Sequence, residues 1–325
     1  MDCFFFIMTK LRILSILFLP LAAAHADTFG SGANTFTMDF VTIGNPGNAA
    51  DTNPAGYGSV GYTYRMGIHE VSNAMLSAFN ALRINPQSDP QLPTGDVSTP
   101  LFSGANKPSY LLTWNAAARF VNWLNTSKGY SAAYNITTTG LGSLNDNITL
   151  WTNLDAGYDA ANPFRNSNAH YFLPSENEWY KAAYYDPNKS GGAGYWDYAT
   201  GSNTAPTAVA GGIASGTAVY NLQANPADVT NAGGLSPYGT MAQNGNQWEW
   251  CETGFTAPNN EANEGRVIRG GNYNSVPVLL PPSNRYSAGP SLFETNGFRV
   301  ASVPEPSALL LTLIGTLGVV TRRRR

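Results

Sequence analysis

Sulfur is scarce in this chain. Of 325 residues only Cys3 and Cys251 are cysteine, and Cys3 lies in a leader segment described below. One remaining thiol excludes an intrachain disulfide and any site built from several thiolates. A lone thiol of this kind reads as a small buried hydrophobe. Histidine is also sparse, with His69 and His170 the two outside the leader. Charged residues make up 12% of the chain, about half the usual share of roughly 25%. Asn, Thr, Ser and Gly take their place, as in secreted, loop-rich domains. No apolar run reaches the roughly 20 residues of a stable membrane span.

The two ends carry address information. Lys10 and Arg12 form a positive n-region, Ile13 to Ala23 a short apolar region, and Ala24-His25-Ala26 an A-x-A cleavage site. Residues 1–26 therefore read as a signal peptide for the Sec export machinery, with the mature chain starting at Asp27. Met1 and Met8 both stand as starts, since Met1 to Ile7 adds nothing such a peptide needs. At the other end, Val303-Pro304-Glu305-Pro306 precedes an apolar stretch, Ser307 to Val320, and then Thr321 and four arginines, Arg322 to Arg325. A cation cluster is costly to draw through hydrocarbon and stays on the cytoplasmic side. Gly315 and Gly318 loosen the apolar stretch as a helix. Residues 303–325 resemble the PEP-CTERM sorting signal of Gram-negative bacteria that make exopolysaccharide. The resemblance implies recognition of Pro304, Glu305 and Pro306 by exosortase, a transient inner-membrane anchor through a transmembrane helix, and a final place on the cell surface or in the extracellular matrix.

Between the ends lie residues 27–302. Six cations and two acids fall outside them, leaving 12 positive and 19 negative charges, a net of −7. Nucleic-acid binding needs a basic face, which this composition excludes. Three segments have helical period. Ser72 or Asn73 caps a run with Met75, Phe79 and Leu82 on one face. Thr113 caps Trp114 to Asn125. Ser175-Glu176-Asn177-Glu178 is a capping box ahead of Trp179, Ala182 and Ala183. Short strands are expected at Thr37 to Ile43, Tyr62 to Ile68, Arg266 to Arg269 and Phe298 to Val300. Residues 126–168 read as an inserted polar loop, and residues 189–218 have no period. Few helices, short strands and long loops make an irregular α+β domain.

Six phrases then fall in order: Tyr64 to Asn73 (with Glu70-Val71-Ser72-Asn73), Trp114 to Phe120, Leu173 to Trp179, Asn244 to Trp250, Arg269-Gly270-Gly271-Asn272-Tyr273, and Asn296 to Val300. Together they resemble the formylglycine-generating enzyme, or sulfatase-modifying factor, family. The resemblance implies a variant of the C-type-lectin-like fold across the core. Each phrase also has a structural reading. Trp179, Trp248 and Trp250 are core residues, Gly270 and Gly271 take special backbone angles, Glu178 is a helix cap, and Arg285 and Arg299 anchor loops with their five donors.

The family's oxidases bind copper(I) with two cysteines that follow the R-G-G phrase. Their positions fall here on Ser275 and Leu280, so copper and its peptide-oxidising chemistry are not expected. The family's iron-dependent branch takes its ligands largely from a further helical domain that is absent here. The resemblance also implies two calcium sites of hard oxygen ligands. Asn221 and Asp228, with carbonyls of Leu222 and Thr230, would form one. Glu249, with carbonyls of Gly245 and Gln247, would form the other, where Ala242 replaces a usual oxygen ligand. The family's substrate groove would lie near Ser275 and Arg285. The expectation is an exported, non-catalytic surface or matrix protein that binds a glycan, peptide or matrix partner, exopolysaccharide included. The alternatives are an oxidoreductase-like enzyme of altered chemistry on the same scaffold, and a purely structural matrix component.

Overall fold

Two sheets meet where the last described stretch of chain passes from one to the other. The computed structural model describes residues 25–83, 103–136, 148–256, 258–292 and 294–304. The apolar parts of the leader and of the sorting tail lie outside them. Among the described residues no helix is long and apolar enough to cross a membrane.

Nine strands build the two sheets: β1 (His25–Phe29), β2 (Phe36–Ile43), β3 (Tyr64–Gly67), β4 (Tyr171–Phe172), β5 (Trp248–Gly254), β6 (Arg266–Arg269), β7 (Tyr286–Ala288), β8 (Asn296–Gly297) and β9 (Ala301–Ser302). The first sheet has the order β1-β2-β3-β9-β4 and is antiparallel throughout. The second has the order β7-β6-β5-β8, antiparallel except for the β5–β8 pair. The β5–β6 register shifts between Trp250 and Gly254. Three two-stranded ribbons complete the strand content. With three α-helices, this is the irregular α+β domain that the sequence implies.

The helices begin where their caps place them. In α1 (Asn73–Leu82) the Ser72 hydroxyl accepts from the Met75 amide at 3.5 Å. In α2 (Trp114–Ser127) Thr113 accepts from Ala116 at 2.9 Å. In α3 (Glu176–Tyr184) the capping box closes both ways, with Glu178 N–H on Ser175 Oγ at 3.2 Å and Ser175 N–H on Glu178 Oε2 at 2.6 Å. Each cap satisfies amides that the helix itself leaves without partners. The inner face of α1 differs from the expected one. Leu76, Ala78 and Phe79 are buried, while Met75 and Leu82 are half-buried. A stripe at Met75, Phe79 and Leu82 also satisfies helical period. The rotation is set by the partners, since Leu76 and Phe79 join Phe29, Phe40, Val71 and the α2 face in the main core.

That core spans both sheets. Phe29, Met38 and Phe40 from the first meet Trp250 and Ile268 from the second around Trp114, Phe120 and Val121 of α2. Trp179 and Trp250 are buried. Trp248 is half-buried, its ring edge-on to Tyr286 with centroids 5.1 Å apart. Cys251 is buried beside Trp179 and Val267.

The closing phrase corrects the sequence expectation of a strand at Phe298 to Val300. The chain is a strand at Asn296–Gly297 in the second sheet and again at Ala301–Ser302 in the first, with the three residues between crossing over. Their backbone still bonds, Val71 N–H to Phe298 O at 2.9 Å and Gly67 N–H to Val300 O at 2.8 Å. What replaces a ladder is Arg299. Fully buried, it gives its guanidinium to Glu249 (2.6 and 2.5 Å), to the carbonyls of Gly67 (2.9 Å) and Ile68 (3.1 Å), and to Met241 O (2.8 Å). Trp179 Nε1 also donates to Glu249 at 2.6 Å.

The 126–168 insertion is tied down in its described part. Residues Asn135–Ile136 and Ile148–Thr149 form a ribbon. Beyond it Arg165 reaches inward to Glu178 and Glu252 at 2.8–3.1 Å and lies 3.8 Å over the Phe172 ring. This guanidinium holds Glu178 below the usual carboxylate range against the upward push of burial.

Breaking one partner of a buried ion pair leaves an uncompensated charge. Arg299→Met is expected to lower unfolding free energy by about 3–5 kcal/mol, read from the urea midpoint at constant slope. Pairing it with Glu249→Leu should restore part of that loss. An unchanged midpoint in the single variant would remove the ion pair from its place in the fold.

Candidate functional site

Strand β6 ends at Arg269, and the next two residues turn the chain sharply. Gly270 and Gly271 have φ of 102° and 80°, angles that a side chain strains. A Cβ built on Gly271 would sit 2.9 Å from Leu280 Cδ2 and 3.4 Å from Ser275 Oγ. Ser275 and Leu280 therefore converge on one point, though five residues separate them. The Ser275 hydroxyl donates to Asn272 Oδ1 and accepts from the Asn272 amide, both at 2.9 Å. Leu280 is buried against Ala218 and Tyr220. Beside Gly271 the structure thus has a hydroxyl locked in a turn and a buried isobutyl group.

The thiol of Cys251 lies elsewhere and is fully buried. Burial first, and then the Glu176 carboxylate, push Cys251 well above the usual thiol range. Its nucleophilic form is correspondingly suppressed.

Arg285 stands at the groove but is not a free cation. It forms a two-toothed pair with Glu176, Nε to Oε1 and Nη2 to Oε2, both at 2.9 Å. Arg269 shares that carboxylate through Nε at 2.8 Å and holds the following loop by the carbonyl of Asn284 at 2.9 Å. Two guanidiniums on one carboxylate thus fix residues 281–285 in place. Against them opens a cleft of ≈ 210 Å³ between Pro281, Pro282 and Ser283 on one side and Asn53, Pro54, Asp197 and Tyr198 on the other.

The segments flanking residues 281–285 carry a signal that the motif reading missed. Phe255, Val276, Val278 and Tyr286 are exposed apolar or aromatic side chains. Arg285 lies 4.2 Å over the Phe255 ring and bonds its carbonyl at 3.2 Å. Asn284 Nδ2 bonds the Val278 carbonyl at 2.6 Å. The sequence clue was the aperiodic apolar run Val276-Pro277-Val278-Leu279, which belongs to neither a strand nor a long helix.

The two oxygen-ligand sets differ in their fit to calcium. Asn221 and Leu222 both adopt left-handed angles, φ 64° and 62°, which cost L-residues roughly 1–2 kcal/mol each. Their loop is laced to the groove by Asn221 N–H on Ser275 O at 2.8 Å and Gln223 N–H on Tyr273 O at 3.0 Å. Asp228 is half-exposed with Lys107 Nζ at 3.1 Å, and Thr230 is exposed. Hard oxygen donors on accessible loops suit such an ion, which would displace the Lys107 ammonium from Asp228. In the second set Glu249 has both oxygens committed to Arg299 and Trp179, so a cation there would have to displace a guanidinium. Gly245 and Gln247 are buried around it. A further carboxyl, Glu70, lies close by. It accepts from Asn246 Nδ2 at 2.6 Å, and burial together with the neighbouring Glu249 pushes it well above the usual carboxylate range. Of the sorting motif, Pro304 is exposed and Glu305 and Pro306 lie outside the described residues.

Comparison with solved structures returns the same architecture. Variable protein 1 of Treponema denticola is 20% identical, with 86% of this chain and 99% of that chain covered at a TM-score of 0.51. CarF (17% identity, 82% and 99% coverage, TM-score 0.48) and PvdO from Pseudomonas aeruginosa (16%, 86% and 98%, 0.46) are more distant in shape. No curated protein sequence matches. The profile of the sulfatase-modifying factor enzyme 1-like domain matches residues 33–303, and the chain belongs to that family.

Proposed function

We propose that this chain is an exported surface or extracellular-matrix protein whose sulfatase-modifying-factor-like domain, residues 27–302, binds a partner and carries out no oxidation. Residues 1–26 direct export, and residues 303–325 anchor the chain until exosortase acts on Pro304-Glu305-Pro306. The observation that carries the binding reading is the groove itself. Ser275 and Leu280 converge at Gly271 with no thiol at either position, and Phe255, Val276, Val278 and Tyr286 are exposed to solvent. Exposed apolar side chains on neighbouring loops and a strand end favour a docking role. A matrix protein or peptide is the partner they suit. The Asn221–Asp228 loop is proposed to hold calcium and so to fix the groove's flank.

Three outcomes follow. Val278→Asp combined with Tyr286→Ser should reduce binding to matrix components of the producing strain at least tenfold, measured by surface plasmon resonance, with the thermal midpoint unchanged. Equal binding by parent and variant would exclude these side chains. Calcium should raise stability by about 2.7 kcal/mol at about 100 times its dissociation constant, and Asp228→Ala should abolish the gain. Cys251 should react with a disulfide reagent only in denaturant, and a cysteine peptide of the sulfatase type should emerge unoxidised. Rapid labelling of the native protein, or aldehyde formation, would return the chain to the oxidases.

A further inference from the structure

A second cavity lies away from the groove, under the insertion. It measures ≈ 220 Å³ and is lined by Tyr62, Tyr64, Asp159, Asn162, Arg165 and Ser167, with other residues of the same strands and loop. Its wall is an aromatic ring held still. Tyr62 is 51% exposed, yet its hydroxyl donates to Glu178 Oε1 at 2.8 Å and its ring meets Tyr64 edge-on at 6.2 Å. The ring face is therefore pre-set, and a ligand stacking on it orders no side chain.

The floor is polar and its one cation is already engaged. Arg165 bridges Glu178 and Glu252, and Asn162 Nδ2 donates to Glu252 Oε1 at 2.6 Å. Asn162 Oδ1 is a buried acceptor without a partner. Asp159 stands exposed at the rim, its Oδ1 taking the Ala161 amide at 2.9 Å. Three carboxylates against one guanidinium leave the cavity with an excess of one sign, which opposes an anionic ligand. What the lining offers is an apolar ring face, hydroxyls and amides, a complement for a ring whose faces are C–H and whose edge is hydroxyl. The cavity is small against the roughly 300–1,000 Å³ of sites for drug-sized ligands, which limits it to one ring.

We propose that the cavity between Tyr62, Asp159 and Asn162 is a saccharide subsite that takes one neutral hexopyranose ring, stacked on Tyr62. It stands independently of the groove and of whatever the groove binds.

The test uses the full chain in a detergent without a sugar headgroup. Saturation-transfer-difference NMR is recorded with methyl glycosides of glucose, galactose and mannose, and with glucuronate as the anionic counterpart. At least one neutral glycoside should receive saturation, and glucuronate should bind at least tenfold more weakly. Tyr62→Phe should bind within threefold of the parent, Tyr62→Ala at least tenfold more weakly. Ser167→Trp, which fills the mouth from an exposed position, should abolish the signal with the thermal midpoint intact. Absence of transfer to all three glycosides overturns the proposal. So does preference for glucuronate, or binding that survives both Tyr62→Ala and Ser167→Trp. Glycoside binding lost with Val278→Asp but not with Ser167→Trp would move the sugar to the groove and overturn it equally. Loss of matrix-protein binding alone would bear on the groove and not on this cavity.

Discussion

The buried ion pair between Arg299 and Glu249 joins β5 of the second sheet to the end of β3 of the first, two strands that share no ladder. Glu249 belongs to β5 of the second sheet, Arg299 to the crossover between sheets, and the guanidinium closes on carbonyls at the end of β3 and on Met241. Every donor of the arginine has an acceptor. Trp179 then ties α3 to the same carboxylate. Such a pair adds little net stability relative to well-packed apolar residues. Its value lies in geometry, because this arrangement of the elements satisfies five buried donors at once. The groove inherits this. Gly270 and Gly271, which set the meeting of Ser275 and Leu280, follow β6, the neighbour of β5 on its other edge.

Local features of the fold were legible because they rest on short-range chemistry. Ser72, Thr113 and the Ser175–Glu178 box stand at the helix starts since a hydroxyl three residues upstream of an amide needs no tertiary context. The two glycines after Arg269 were readable for the same reason. The strand at Phe298 to Val300 was not. Alternation in a three-residue run carries no information about which sheet its neighbours join, and a buried arginine at its centre serves equally in a strand or a crossing. The α1 face was off by one position because Met75 and Leu76 both satisfy the period, and only the α2 surface chooses between them.

The site was partly legible for a different reason. The phrase after β6 located Ser275 and Leu280, but their convergence on Gly271 depends on a loop that Arg269 and Arg285 fasten through Glu176. Glu176 had been one letter of a capping phrase. Its service to two arginines, one far along the chain, is a long-range fact with no local trace. The same holds for Arg165. Its insertion is polar and aperiodic in sequence, yet it delivers a guanidinium to two buried carboxylates and builds the wall of a cavity.

Scarcity of charge connects these observations. The core has twelve cations, and Arg65, Arg119, Arg266, Arg269, Arg299 and Lys181 are buried, while Arg165 and Arg285 are paired to carboxylates. The positive charge of this domain is thus largely internal, acting as a fastener where a disulfide would serve in other domains. Few cations remain on the surface to steer or hold anions. Recognition by such a surface has to rest on ring faces, apolar rims, hydroxyls and amides, and the two cavities described above are furnished with such groups.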